Sequence, residues 1–208
     1  MSEPLITPSA SFPDLSLAKV SVQDGRSLPR WTVNGAIYHV AFHLADSVPV
    51  EQLMIWQEAR ARVKQELATL RTTVEAVCRR EELLAELRTL HAAHIERFLS
   101  SGCGECILRD SRAAEALKTT ILRENGIRYA LHVYAIMPNH FHAIVGGFAN
   151  REEFDDVVNA WKRASGHLIN RALGRTGPVW RRDAYTHIIR SEDEYRRQVE
   201  YVWANPTV

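Results

Sequence analysis

Residues 134–145 read Tyr-Ala-Ile-Met-Pro-Asn-His-Phe-His-Ala-Ile-Val, and they constrain the fold more than any other stretch of this chain. Apolar residues on both sides of the central Met-Pro-Asn predict two strands, residues 128–136 and 140–145, joined by a tight turn. Side chains alternate between the two faces of a strand, so His140 and His142 project from the same side. The sequence therefore predicts an antiparallel hairpin that presents two imidazoles on one face of a sheet.

The other patterns give the order of the elements. Residues 31–44 and 180–190 are predicted as strands, because β-branched and aromatic residues are frequent in them. Apolar residues at three- and four-residue spacing predict helices over residues 110–124, 154–173 and 192–203. This order is typical of a split βαβ unit. We therefore expect an α+β fold, a ferredoxin-like antiparallel sheet with its helices on one face and a long helical insertion.

The insertion covers residues 50–100, where the helical pattern is longer than an ordinary globular helix. It predicts a helical hairpin or one long protruding helix. A coiled-coil dimer arm is the alternative to packing against the domain's own sheet, which we favour. Residues 1–28 are rich in serine and proline and are expected to form a flexible leader, with residues 29–208 forming one domain.

Composition excludes several classes of protein. The formal net charge is +1, which excludes a globally basic nucleic-acid binder but not a locally basic face. The chain has 3 cysteines, too few for a disulfide framework, and we expect a reducing, cytoplasmic location. Cys103 and Cys106 form one Cys-x-x-Cys, for which a glycine-containing turn is favoured over a zinc or redox site. No apolar stretch is long enough to predict a membrane span.

The paired histidines are candidate metal ligands. Neutral imidazoles bind divalent ions, and two protein ligands would leave the open positions that a catalytic ion requires. Asn205 is a candidate third ligand through its amide oxygen. It can equally well end the last helix, because it precedes Pro206. Hydrogen-bonded structural roles for His140 and His142 remain the alternative to metal binding.

Tyr201 is the candidate nucleophile. It lies in the last predicted helix, which begins with a capping box formed by Ser191 and Glu194, and Asn205 follows it by one turn. A tyrosine attacks phosphorus well only when a neighbouring cation or base favours the phenolate. The alternative is an ordinary half-buried aromatic residue of an amphipathic helix.

A basic region lies between residues 157 and 190. This region contains seven cationic residues and one acidic residue, which gives a local net charge of +6. Such a charge is typical of a surface that binds a polyanion. Tryptophans at 161 and 180 and a tyrosine at 185 could stack on unpaired bases, or the tryptophans could belong to the core. His187 could support the metal site or contact a phosphate. The candidate DNA-binding residues are Lys162, Arg163, Arg171, Arg175, Arg181, Arg182 and His187.

Taken together, these motifs resemble the REP-associated tyrosine transposases, single-tyrosine HUH enzymes. The resemblance covers the chain from about Trp31 to its end. Four blocks carry it: residues 38–47 (YHVAFHLADS), residues 134–142 (YAIMPNHFH), residues 179–190 (VWRRDAYTHIIR) and residues 195–206 (YRRQVEYVWANP).

The resemblance implies that His140, His142 and Asn205 hold a catalytic Mg²⁺ or Mn²⁺ and that Tyr201 forms a 5′-phosphotyrosine. It implies DNA transposition and recombination, with single-stranded hairpins of the REP-like palindrome kind as the partner, no membrane, and a monomer or homodimer in the cytoplasm near the nucleoid. The sequence departs from the family pattern in the residues before His187, where a supporting acid is expected, and it ends at Val208. The second departure motivates an alternative, a catalytically decayed, domesticated hairpin-DNA-binding protein.

Overall fold

A computed structural model describes the chain over residues 21–23, 30–32, 35–70 and 74–205. By its internal contacts the chain divides into two compact units, residues 1–45 together with 106–208, and residues 46–105. Most of the expected leader lies outside the described residues. One short antiparallel pair is described, with β1 at Ser21–Gln23 inside the expected leader and β2 at Arg30–Thr32 just after it.

The smaller unit is helical and contains the predicted insertion. Its elements are α1 (Val50–Thr69), α2 (Val74–His91), a π-helical turn (Ala92–Glu96) and α3 (Arg97–Ser100). Ion pairs join Arg62 to Glu86 and Arg79 to Glu66, so α1 and α2 run antiparallel. The buried side of α1 is formed by Leu53, Trp56, Arg60 and Val63. Of the two expected arrangements, the helical hairpin is the one observed.

The larger unit is built on a four-stranded sheet. Its strands are β3 (Ile37–His43), β4 (Ala130–Ile136), β5 (His140–Gly146) and β6 (Tyr185–Ile189). They lie in the order β4-β5-β3-β6, and every neighbouring pair is antiparallel. Strands β4 and β5 form the predicted hairpin. Strand β3 pairs with β5, and β6 pairs with β3 at the edge of the sheet. The predicted α+β class and split βαβ topology are confirmed.

Two helices cover one face of this sheet: α4 (Ser111–Leu122) connects β3 towards β4, and α5 (Arg151–Leu173) connects β5 to β6. Both helices begin with a side-chain cap, from Asp110 and Asn150 respectively. The left-handed residue Gly174 ends α5 as predicted, because only glycine adopts that conformation without a Cβ penalty. The main core lies between these helices and the sheet, and it includes Tyr38, Val40, Phe42, Leu117, Ile121, Phe141, Ala143, Phe154, Val157 and Trp161.

The last helix, α6 (Glu192–Ala204), packs on the opposite face of the sheet. A second apolar cluster forms there from Ile37, Val133, Ala135, Ile144, Ile189 and Val202, with Tyr195 and Val199 packed against it. The expectation that all helices lie on one face is therefore wrong for α6. The physical reason is that part of the second face is also apolar, so it requires cover as well. This second face carries the histidines.

Candidate active site

His140 and His142 lie on the central strand β5, on the sheet face that α6 covers. The register pairs His142 with Ala41 and His140 with His43, so the two rings stand side by side as predicted. Their centroids are 4.9 Å apart, and the rings are nearly perpendicular. The two residues are 4% and 6% exposed, which means that the fold fixes the position of each ring.

The protonation of His140 is set by its neighbour. Its Nδ1 lies 2.7 Å from Oδ1 of the fully buried Asn139. An amide oxygen can only accept a hydrogen bond, so Nδ1 carries the proton and Nε2 keeps its lone pair. Burial lowers the pKa of His140 to about 4, so the ring is neutral at neutral pH. A neutral imidazole whose Nε2 holds a lone pair is the form that binds a metal ion.

A third imidazole belongs to the same cluster. His39, on β3, is 4% exposed, and its Nε2 lies 3.0 Å from Nδ1 of His142. Burial lowers the pKa of His39 to about 4, although a side-chain hydrogen bond with Gln198 of α6 opposes that shift. The sequence placed His39 in the first strand but gave it no role, because nothing in the sequence fixes the register between β3 and β5.

Tyr201 reaches this cluster from α6. Its ring centroid lies 5.6 Å from that of His142, with the two planes at 89°, and 6.0 Å from that of His39. The residue is nevertheless 45% exposed. The phenol of Tyr201 therefore lies between buried imidazoles and solvent. The structure brings Tyr201 together with His142 of the predicted pair.

Asn205 lies at the C-terminal end of α6. Its Nδ2 donates a 2.8 Å hydrogen bond to the carbonyl oxygen of Tyr201, so it ends the helix in the way that its position before a proline predicts. Within the described part of the chain, no group of three or more His, Cys, Asp or Glu residues is arranged to hold a metal ion. The ligand set of His140, His142 and Asn205 therefore stays a prediction.

His187 and Glu194 form a second polar pair on this face. His187 lies on β6 opposite His39 in the register, and its Nε2 donates to Glu194 Oε1 at 2.7 Å. The other carboxylate oxygen accepts from the backbone N–H of Arg190 at 2.8 Å. The supporting acid missing from the segment before His187 is therefore supplied by α6. The sequence showed Glu194 only as a capping residue, and its backbone N–H does donate to Ser191 Oγ, at 3.2 Å. A DNA contact for His187 stays a prediction.

The predicted basic residues are partly gathered in a groove of about 530 Å³ between α5 and residues 177–182. Lys162, Arg163, Arg181 and Arg182 line it, whereas Arg171 and Arg175 do not. Lys162 Nζ donates to the backbone oxygen of Arg182 at 2.7 Å, which ties the two walls together. The groove is thus lined by four cationic residues and one acidic residue, Asp156.

The two tryptophans of this region belong to the core. Trp161 is 3% exposed and donates to the Tyr129 hydroxyl, and Trp180 is 7% exposed and donates to Ser165 Oγ. Trp180 forms an isolated bridge with Leu44, and the predicted fourth strand starts only at Tyr185. Of the two interpretations left open by the sequence, core packing is the correct one for both tryptophans.

The groove lies near the histidine end of the sheet. Although α5 covers the face opposite to the histidines, the backbone N–H of Arg181 donates to the carbonyl of His43, the register partner of His140. The segment that carries Arg181 and Arg182 therefore passes the end of the strands at which the His140 ring lies.

No protein-family model and no curated protein sequence matches the chain. Among solved structures it is similar to a REP-associated tyrosine transposase bound to a REP hairpin, with 14% identity and a TM-score of 0.44 over 86% of this chain and 72% of the other. It is also similar to a protein of Deinococcus radiodurans R1 provisionally assigned as a transposase, with 14% identity and a TM-score of 0.37 over 89% and 99%. None of the described helices has the length and apolar character of a bilayer span.

Proposed function

We propose that the protein cleaves and rejoins single-stranded hairpin DNA, in the manner of a REP-associated tyrosine transposase, with Tyr201 as the nucleophile. The observation that carries the proposal is the perpendicular contact of the Tyr201 ring with His142, at 5.6 Å between centroids, in a tyrosine that is 45% exposed. A purely structural aromatic residue on α6 would be expected to lie against the apolar cluster of this face. Tyr201 lies instead against the imidazoles.

The chemistry is a phosphodiester exchange. The Tyr201 oxygen attacks the scissile phosphorus and loses its proton, and the bond between phosphorus and the 3′ oxygen breaks. The leaving oxygen gains a proton and becomes a free 3′-OH, while the 5′ phosphate stays joined to the tyrosine. One phosphodiester replaces another, so a 3′-OH can attack the tyrosine ester and rejoin the strand without ATP.

His140, His142 and Asn205 would hold the ion, through the two Nε2 atoms and the amide oxygen. When bound, Mg²⁺ or Mn²⁺ would polarise a non-bridging phosphate oxygen and favour the phenolate. The chain's own contribution is to keep the His140 ring neutral and to hold both rings on one face. Burial of His140 and its hydrogen bond to Asn139 do this for the first ring, and the contact with His39 positions the second.

The basic groove is proposed to hold the DNA backbone. Lys162, Arg163, Arg181 and Arg182 supply its cations, and Arg171 and Arg175 extend the positive surface along the exposed end of α5. Contacts of this kind position the nucleic acid without reading its sequence. The hairpin, as a REP-like palindrome, and a monomeric or dimeric state are parts of the same proposal.

The test is a search for the covalent product. Purified protein is mixed with a hairpin oligonucleotide labelled at its 3′ end and Mn²⁺, and then denatured. We expect a denaturation-resistant adduct for the wild type and none for Tyr201→Phe, because that variant lacks the attacking oxygen. Hairpin binding by gel shift should be unchanged in that variant.

Tyr195→Phe is the matched control, because Tyr195 lies on the same helix but bonds to His132 Nδ1 at 2.8 Å. It should keep the adduct. An adduct formed equally by Tyr201→Phe would refute the assignment of the nucleophile. Tight hairpin binding by the wild type with no adduct would instead support the alternative, a decayed DNA-binding protein.

A further inference from the structure

His39 is a buried polar residue that is neither the proposed nucleophile nor one of the proposed metal ligands. It is 4% exposed, and it lies between two elements of the site. Its Nε2 contacts His142 Nδ1 at 3.0 Å, and its ring is hydrogen-bonded to the side chain of Gln198 on α6. A buried imidazole in an otherwise apolar strand is costly unless both nitrogens have partners. His39 has both.

The contact with His39 decides which nitrogen of His142 could hold an ion. A neutral imidazole has one N–H donor and one lone pair. Nδ1 of His142 lies 3.0 Å from His39 Nε2, so an ion would bind His142 through Nε2. Ligation through Nε2 requires the proton of His142 to be on Nδ1, which then donates to the lone pair of His39 Nε2.

We propose that His39 is a positioning residue that holds His142 in the Nδ1–H form and turns its Nε2 towards the ion, and that Gln198 completes this chain from α6. The inference rests on the proposed function, because it assigns His142 as a ligand. It treats the two ligands alike: Asn139 sets the proton of His140, and His39 sets that of His142. Partners of this kind orient ligating imidazoles and raise their basicity.

The same chain couples the nucleophile to the ligand. Gln198 precedes Tyr201 by three residues, so both lie on the side of α6 that faces the sheet. A shift of α6 that moves Tyr201 would also move the partner of His39. The position of the phenol and the orientation of the His142 ring are therefore set together.

The experiment measures Mn²⁺ binding to the full chain without DNA, by the electron paramagnetic resonance signal of free Mn²⁺. His39→Leu removes the acceptor and should weaken binding by about 10- to 100-fold. His39→Gln places an amide group where Nε2 lies and should restore most of the affinity. His132→Leu is the matched control, a part-buried histidine of the same face that bonds to Tyr195, and it should bind Mn²⁺ as the wild type does.

A second measurement does not depend on the variants. Two-bond ¹H–¹⁵N spectra of the wild type report the tautomer of each histidine, and we expect the Nδ1–H form for His142. Three results would each overturn the inference without affecting the assignment of Tyr201 as the nucleophile. They are a wild-type Mn²⁺ affinity in His39→Leu, an equal loss of affinity in His132→Leu, and an Nε2–H tautomer for His142. Absence of Mn²⁺ binding by the wild type would overturn the ligand assignment and the inference with it.

Discussion

Each proposed histidine ligand has one nitrogen held inside the fold. Asn139 contacts Nδ1 of His140, and His39 contacts Nδ1 of His142. Asn139 and His39 are buried with the rings, so water cannot replace them without disturbing the sheet. The site is therefore preorganised, and binding an ion would require little rearrangement of these side chains.

Asn139 gives a test at this scale. Asn139→Ala removes the oxygen that accepts from His140 Nδ1, so the ring loses its fixed orientation. We expect Mn²⁺ affinity to fall by about 10- to 100-fold, as measured by calorimetric titration of the full chain. Asn139→Asp keeps an acceptor oxygen at the same position and should retain Mn²⁺ binding. Equal affinities for the wild type and Asn139→Ala would contradict the role assigned to this side chain.

The candidate site residues named from the sequence are those that carry a local signal. His140 and His142 are adjacent on one strand face, and Tyr201 and Asn205 are one turn apart on a helix, so short-range periodicity relates each pair. His39 and Glu194 carry no such signal. Their roles depend on the register of β3 against β5 and on the position of α6, and both are set by packing between distant segments.

At the scale of elements, α6 is the part that assembles the site. Its first turn is held by the Ser191 cap and by the contact of Glu194 with His187. Further along, Val202 packs into the apolar cluster and the Tyr201 ring lies against His142. Loss of a contact at the start of this helix would shift the Tyr201 phenol, because a helix transmits a displacement along its length.

Glu194→Gln tests that dependence and its pH profile. Burial raises the pKa of Glu194, but hydrogen bonds from the Arg190 backbone and from His187 outweigh burial and leave the pKa below its ordinary value. A carboxyl with a lowered folded-state pKa stabilises the protein above its unfolded-state pKa of about 4.3, and that contribution is lost as the pH falls through the folded value. We expect the variant to lose about 1–2 kcal/mol of unfolding free energy at pH 7, measured with urea.

The difference between wild type and Glu194→Gln should narrow as the pH falls below about 4. Glu192→Gln is the control, since Glu192 lies in the same first turn but forms only an exposed ion pair with Arg196. It should cost no more than about 0.5 kcal/mol. A difference for Glu194→Gln that is constant from pH 7 to pH 3 would show that its carboxylate does not act as described.

The elements themselves were largely predictable, and their arrangement was less so. The strands of the hairpin, the capped helices and the Gly174 ending follow from local propensity and turn residues. The side of the sheet that α6 covers does not follow from local propensity, because an amphipathic helix fits either apolar face. The core positions of Trp161 and Trp180 were also open, because a tryptophan among arginines can be buried or can stack on a base.

At the scale of the larger unit, the sheet separates two kinds of surface. Its α4 and α5 side holds the main core and carries the basic groove, and its α6 side holds the imidazoles and Tyr201. The segment with Arg181 connects them at one end of β3. DNA binding and chemistry are therefore expected to be separable by substitution.

A triple variant, Arg163→Ala with Arg181→Ala and Arg182→Ala, tests the separation. Loss of up to three phosphate contacts should lower the slope of log K against log salt concentration by about 2–3, measured by fluorescence anisotropy of a labelled hairpin. Mn²⁺ affinity should not change. Arg112→Ala removes an exposed arginine paired with Asp110 on α4 and should leave the slope as it is. A triple variant with the wild-type slope would exclude the groove as the DNA-binding surface.

The alternation along β5 makes the length of that strand as important as its composition. Phe141 is directed into the main core, while His140 and His142 on either side of it face α6. Inserting or deleting one residue ahead of this triplet would exchange the two sets, so a phenyl ring would face Tyr201 and imidazoles would enter the apolar interior. Such a frame slip would remove the chemistry and the packing in one event, whereas many point substitutions would affect only one of them.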